Sequence, residues 1–249
     1  MFSVVLFILV QTFNKILRSF GYWQLIIVAD NQLTGRKDLR HGQFEKVRVV
    51  IRQAEVRNER NAKADTGKVD QQIIAAFAGN WVTAHRAACD LVDRMYGVPV
   101  GEKTPLVIAS AGGYPKDLNF YQTIKTLSNA LEVVADGGTL ILVTKSEEGF
   151  GSEDTQRQIA GLATMEAREK DLRENFSIGA FIGYLFAESA EKYHMIAVTD
   201  MAQEDFGTAK IHVVKTLDEA LELSRRLNGG RDLRATLLPH GANTLPKFQ

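Results

Sequence analysis

The sequence predicts an α/β fold: a layered α/β/α domain built on a mostly parallel sheet. Two observations carry this. Leu106 to Ala109 (LVIA) and Thr139 to Thr144 (TLILVT) are short runs that are almost wholly apolar, as strands covered on both faces are. Segments of helical apolar spacing alternate with such runs, and glycines separate them, which is the pattern of parallel strands joined by right-handed crossovers.

Taken in order, Leu25 to Ala29 and Val47 to Ile51 each have the composition of a strand, whereas Glu55 to Lys68 (EVRNERNAKADTGK) is polar, charged and aperiodic, as in an exposed linker. From Asp70 the layered pattern begins. Ile73 to Ala78 is predicted as a strand. Trp81 to Tyr96 is predicted as a helix with Ala84, Ala88, Leu91, Val92 and Met95 on its apolar face and Gly97 as its stop. After the LVIA strand and a glycine turn, Asp117 is a candidate N-cap for a helix over Leu118 to Val134, ended by Asp136, Gly137 and Gly138. The TLILVT strand follows. Helices are expected over Ser152 to Glu174 and Ile178 to Lys192, and strands over Met195 to Thr199 and Lys210 to Val214. An amphipathic helix over Thr216 to Leu227 and a last strand over Ala235 to Leu238 complete the pattern.

Bulk properties narrow the function. Lys plus Arg and Asp plus Glu stand at 30 each, so no net field draws the 249-residue chain to nucleic acid or to an anionic membrane. The single cysteine, Cys89, excludes an internal disulfide or a thiolate metal cluster and suits a reducing, cytoplasmic setting. Met1 to Val10 (MFSVVLFILV) is apolar but too short to cross a bilayer, and Lys15 and Arg18 follow it rather than precede it as in a secretory signal. A buried strand or helix is expected there.

In an open α/β sheet, ligands sit beyond the carboxyl ends of the strands, which directs attention to the loop Ser110-Ala-Gly-Gly-Tyr-Pro-Lys-Asp117. Gly112 and Gly113 permit positive φ and close approach to main-chain N–H groups, and a helix start beyond them favours an anion. A plain strand-to-helix turn would use the same glycines. Neither G-x-G-x-x-G nor the Walker phosphate loop is present, so no motif supports NAD or ATP. Gln122 and Lys125, three residues apart, share one helix face near the loop, and Tyr121, Tyr114 and Lys116 add donors, a cation and aromatic surface for a small acidic ligand. His240, in LLPHGANTLP after the last strand, is a further candidate. His85 on its helix reads as a structural or surface residue, and His194 and His212 lack metal-ligand spacing.

SAGGYPKDLNFYQTIKTLSNA (Ser110 to Ala130) resembles the signature of the C-terminal domain of nickel-dependent lactate racemases. AAFAGNWVTAHRAACDLV (Ala75 to Val92) and DGGTLILVTKSEEGFGSE (Asp136 to Glu153) extend the resemblance, which covers about Asp70 to Lys247. It implies a Rossmann-like C-terminal domain and interconversion of the enantiomers of lactate or another 2-hydroxy acid. The implied mechanism is hydride transfer through a nickel pincer nucleotide, a cofactor derived from nicotinic acid. In that family the Gln and Lys of Tyr-Gln-x-x-x-Lys face substrate or cofactor, which implies those roles for Gln122 and Lys125.

The family's N-terminal domain supplies a cofactor-bound lysine, a nickel-ligating histidine and a pair of proton-transferring histidines, and their surroundings have no counterpart in this sequence. Before the matching region only His41 is present, in GRKDLRHGQFEK. One histidine cannot provide the acceptor on each substrate face that two-base racemisation needs. The expected organisation is therefore residues 1–69 as an unassigned remnant or replacement of the catalytic domain, and residues 70–249 as the lactate racemase C-terminal-like domain. Three roles are compatible with this: a substrate-side half completed by a separate N-terminal-domain chain, a non-catalytic small-carboxylate binding module, and an inactive truncated remnant.

Overall fold

A computed structural model describes residues 23–29, 47–53 and 72–248; the apolar run at Met1 to Val10, the stretch from Glu55 to Lys68, and His41 lie outside them. The chain divides between Met95 and Tyr96 into two compact units. In the first, β1 (Trp23–Ala29), β2 (Val47–Gln53) and β3 (Gln72–Gly79) form an antiparallel sheet in sequence order. The register runs from Trp23↔Gln53 to Ala29↔Val47, then from Val47↔Gly79 with a shift between Ile51 and Arg52. Helix α1 (Trp81–Tyr96) starts where Asn80 Oδ1 accepts Val82 N–H at 3.0 Å, and it buries Ala84 and Ala88.

The second unit carries a five-stranded, all-parallel sheet. Its strands are β5 (Thr104–Ser110), β6 (Val134–Val143), β7 (His194–Val198), β8 (Ile211–Val214) and β9 (Ala235–Leu238), in spatial order β8-β7-β6-β5-β9. Side chains alternate across it as the two-residue period of a strand requires. Val107, Ala109, Leu140, Leu142, Met195 and Ala197 pack with α2 (Ile124–Val133) and α5 (Ile178–Lys192). Leu106, Ile108, Ile141, Val143, Ile196 and Val198 pack with α6 (Leu217–Leu227). Helices thus cover both faces, and the apolar continuity of LVIA and TLILVT follows from that double burial.

Two short strands absent from the expectation, β4 (Gly97–Val100) and β10 (Leu245–Phe248), pair in parallel. The helix expected over Leu118 to Val134 is shorter. Asn119, not Asp117, caps a 3-10 turn at Phe120–Thr123, accepting Gln122 N–H at 3.2 Å, and α2 begins only at Ile124. Asp117 instead accepts from the β6 loop, through its carbonyl from Ser146 N–H at 2.8 Å. Asn119 is fixed by its donation to Glu148 (3.1 Å) and by Gly151, where a Cβ would lie 2.7 Å from Asn119 Cβ.

The helix expected over Ser152 to Glu174 is broken into α3 (Glu153–Gln156), a π turn (Arg157–Gly161) and α4 (Met165–Glu174), with Thr164 capping the last. The break is held by Arg168, 2% exposed, whose guanidinium donates to Gln158 O (2.7 Å), Ile159 O (3.0 Å) and Thr208 Oγ1 (3.0 Å). At the sheet border, Gln203 Nε2 donates to Ile211 O at 3.0 Å and its Oε1 accepts from Val213 N–H at 2.8 Å, so one side-chain amide satisfies two groups of β8. Among the described residues no helix is long and apolar enough to cross a membrane.

Candidate functional site

Strands β5 and β9 are parallel neighbours, so the loops beyond Ser110 and Leu238 leave from the same end of the sheet. The first loop turns on Gly112 (φ +93) and Gly113 (φ +78), both in the region that glycine alone enters freely. Ser110 Oγ accepts Gly112 N–H at 3.1 Å, and Gly113 O accepts from Lys116 N (2.8 Å) and Asp117 N (3.3 Å). Those N–H groups close the turn on itself. This departs from the expectation of a main-chain cradle backed directly by a helix start: the helix comes a full segment later, and the cationic groups nearby are side chains.

Lys116 folds back over the turn. A Cβ placed on Gly112 would lie 3.7 Å from Lys116 Nζ and 3.8 Å from His240 Nδ1, so these two side chains flank the space above that glycine. Asn243, its amide oxygen turned to the lysine, accepts from Lys116 Nζ at 3.0 Å while its nitrogen donates to Ala242 O at 3.2 Å. Gln122, in the 3-10 turn, accepts from Lys125 Nζ in the first turn of α2 at 2.8 Å. The three-residue spacing seen in the sequence thus becomes a direct hydrogen bond. Phe120, packed among Phe150, Phe186 and Phe206 at centroid distances of 4.6 to 6.0 Å, anchors the turn that presents Gln122.

The loop after β9 is strapped over this corner. Asn129, one turn beyond Lys125, donates to Gly241 O at 2.6 Å, and Gly241 sits so close that a Cβ there would lie 2.8 Å from Thr126 Cγ2 and 3.1 Å from Ser110 O. Gly241→Ala is therefore expected to push His240 and Asn243 away from Lys116, costing about 1–3 kcal/mol of stability and weakening anion binding. Thermal unfolding and a carboxylate titration of the variant check both.

Electrostatics follow from burial. Lys125 is 9% exposed, and desolvation, with a smaller contribution from the Lys116 ammonium nearby, pushes its ammonium down to about 8. Burial lowers Lys116 as well and raises the Tyr121 phenol. Of the expected site residues, Gly112, Lys116, Gln122 and Lys125 come together and His240 joins them. Tyr121 packs against the main hydrophobic cluster, and Tyr114 is 80% exposed and walls nothing. Gly113 is exposed and serves as the turn's acceptor. Asn243, Asn119 and Asn129 escaped the sequence reading; the only signal for Asn243 was its position just past a strand end. Among the described residues no group of three or more His, Cys, Asp or Glu side chains is placed to hold a metal ion.

Sheet and site together define an open-sheet α/β domain whose cationic and amide groups gather beyond the carboxyl ends of adjacent strands. The chain belongs to the lactate racemase C-terminal domain family, whose model matches residues 101–245. It is 30% identical over 188 residues to a lactate racemase of Lactiplantibacillus plantarum, covering 72% of this chain and 43% of that protein. A lactate racemase of Thermoanaerobacterium thermosaccharolyticum is 24% identical over 184 residues. The structure of the lactate racemase apoprotein from the latter organism superposes with a TM-score of 0.62 at 26% identity, over 70% of this chain and 43% of that one. The chain thus spans less than half the length of the relatives it matches.

Proposed function

We propose that this chain supplies the substrate-side half of a lactate racemase, holding lactate or a related 2-hydroxy acid by its carboxylate while a separate N-terminal-domain chain completes the catalytic centre. The observation that supports this is the meeting of Lys116 and His240 above Gly112, with the hydrogen-bonded Lys125–Gln122 pair within electrostatic range of Lys116, in a domain whose relatives are lactate racemases. Two ammonium groups neutralise a carboxylate, and the Gln122 amide and His240 imidazole offer polar partners for the 2-hydroxyl.

A nickel pincer nucleotide is the cofactor that the family resemblance implies. The donors gathered here suit an anion and do not amount to a metal-binding set, so the nickel ion does not fit the described residues alone. The gathering of both cations within one loop and one helix turn favours a second reading, a carboxylate-binding module. Isothermal titration with each lactate enantiomer tests the shared core of both readings. The Gln122→Ala/Lys125→Ala double variant is expected to lose at least about tenfold in affinity with its circular dichroism unchanged; unchanged affinity overturns the site. Racemisation that arises only on adding an N-terminal-domain chain then separates the half-enzyme from the module.

A further inference from the structure

Carboxylate binding needs cations, yet it does not need one of them to be buried. Lys125 is nine-tenths withdrawn from solvent, its Nζ is held at 2.8 Å from Gln122 Oε1, and the Lys116 ammonium is close enough to repel it. Desolvation beside a second cation is the arrangement that converts lysine from a counter-ion into a nucleophile. With its ammonium pushed down to about 8, Lys125 carries a neutral fraction at neutral pH far above that of an exposed lysine. A neutral amine still donates one hydrogen to Gln122, and that bond orients its lone pair.

We propose that Lys125 forms an imine with 2-oxo acids, the keto counterparts of the 2-hydroxy acids this site is read as holding, with Lys116 anchoring the carboxylate. The inference rests on that reading of the site. The Nζ lone pair attacks the keto carbon, a C–N bond forms, and the carbonyl π pair becomes an oxyanion stabilised by the Lys116 ammonium. The oxyanion gains a proton to give a carbinolamine, which expels its hydroxyl as water while the nitrogen lone pair closes the C=N bond. Both hydrogens of the released water come from the amine, and no oxidation state changes between amine plus ketone and imine plus water. His240, across the same space from Lys116, is available to relay the proton to the departing hydroxyl.

The test incubates the full chain with pyruvate and sodium borohydride, maps modified lysines by peptide mass spectrometry, and measures pyruvate binding by calorimetry in parallel. The expected result is a carboxyethyl adduct at Lys125, enriched at least about tenfold over exposed lysines such as Lys170 and Lys192. Excess lactate should suppress the adduct, and Lys116→Gln should reduce it. Pyruvate binding without an adduct at Lys125, or with adducts spread evenly over surface lysines, overturns the imine and leaves the carboxylate reading standing. Absence of both binding and adduct overturns the two together.

Discussion

Replacing Arg168 by methionine is expected to lower the stability of the second unit by about 3–5 kcal/mol, although the substitution keeps the volume and removes a buried charge. The guanidinium is 2% exposed and serves three acceptors, Gln158 O, Ile159 O and Thr208 Oγ1. Thr208 would survive the loss, since its hydroxyl also donates to Leu162 O. The two carbonyls would not, because they belong to the π turn that ends at Gly161, where no further helical N–H follows to meet them. Each dry, unpaired carbonyl costs about 1–3 kcal/mol, and the two together set the size of the loss. Lysine should recover only part of the loss, since one ammonium cannot reproduce the planar fork that spans separate carbonyls. Urea unfolding of wild type, Arg168→Met and Arg168→Lys measures the series; a loss below about 1 kcal/mol for methionine would show that the turn does not depend on this side chain.

The opposite result is expected at Lys125. Lys125→Met should stabilise the fold by up to about 3 kcal/mol at neutral pH while removing anion binding. The folded chain releases this proton near pH 8, whereas the unfolded chain holds it to about 10.4. Between those values the unfolded state binds more protons, so wild-type stability rises with pH across the window, and the full penalty is present below 8. The methionine variant lacks that rise. Affinity for a carboxylate runs the other way, falling above about pH 8 as Lys125 deprotonates in the free site, with Lys116 contributing in the same sense. Thermal unfolding of both proteins from pH 7 to 10 measures the first effect, and lactate titration over the same range measures the second. Parallel stability curves would mean that Lys125 is solvated in the folded state.

The sheet was legible because its strands are buried on both faces and their sequences leave no alternative: Leu106 to Ala109, Thr139 to Val143 and Met195 to Val198 are apolar or small throughout. β4 and β10 were not, because each is four residues long, contains a proline (Pro99, Pro246) and offers no period to read. The break between α3 and α4 was hidden by charged residues that suit an exposed helix equally well; the deciding contact, Arg168 to carbonyls ten and nine residues earlier, is tertiary. Asp117 and Asn119 are equivalent caps in sequence, and the choice between them is made by Gly151 and Glu148 from the next loop. For the candidate site, spacing alone paired Gln122 with Lys125, whereas the approach of Asn243 and His240 to Lys116 depends on β9 lying beside β5 across more than a hundred residues of chain.

The Gln203 amide that answers both Ile211 O and Val213 N–H also governs how this molecule meets others. A border strand of four residues with two of its outward groups held by Gln203 offers a stranger's chain an interrupted ladder, so fibril-like growth from the β8 side must first displace that amide. The rotamer of a single neutral side chain therefore sets part of the sheet's resistance to polymerisation at that margin.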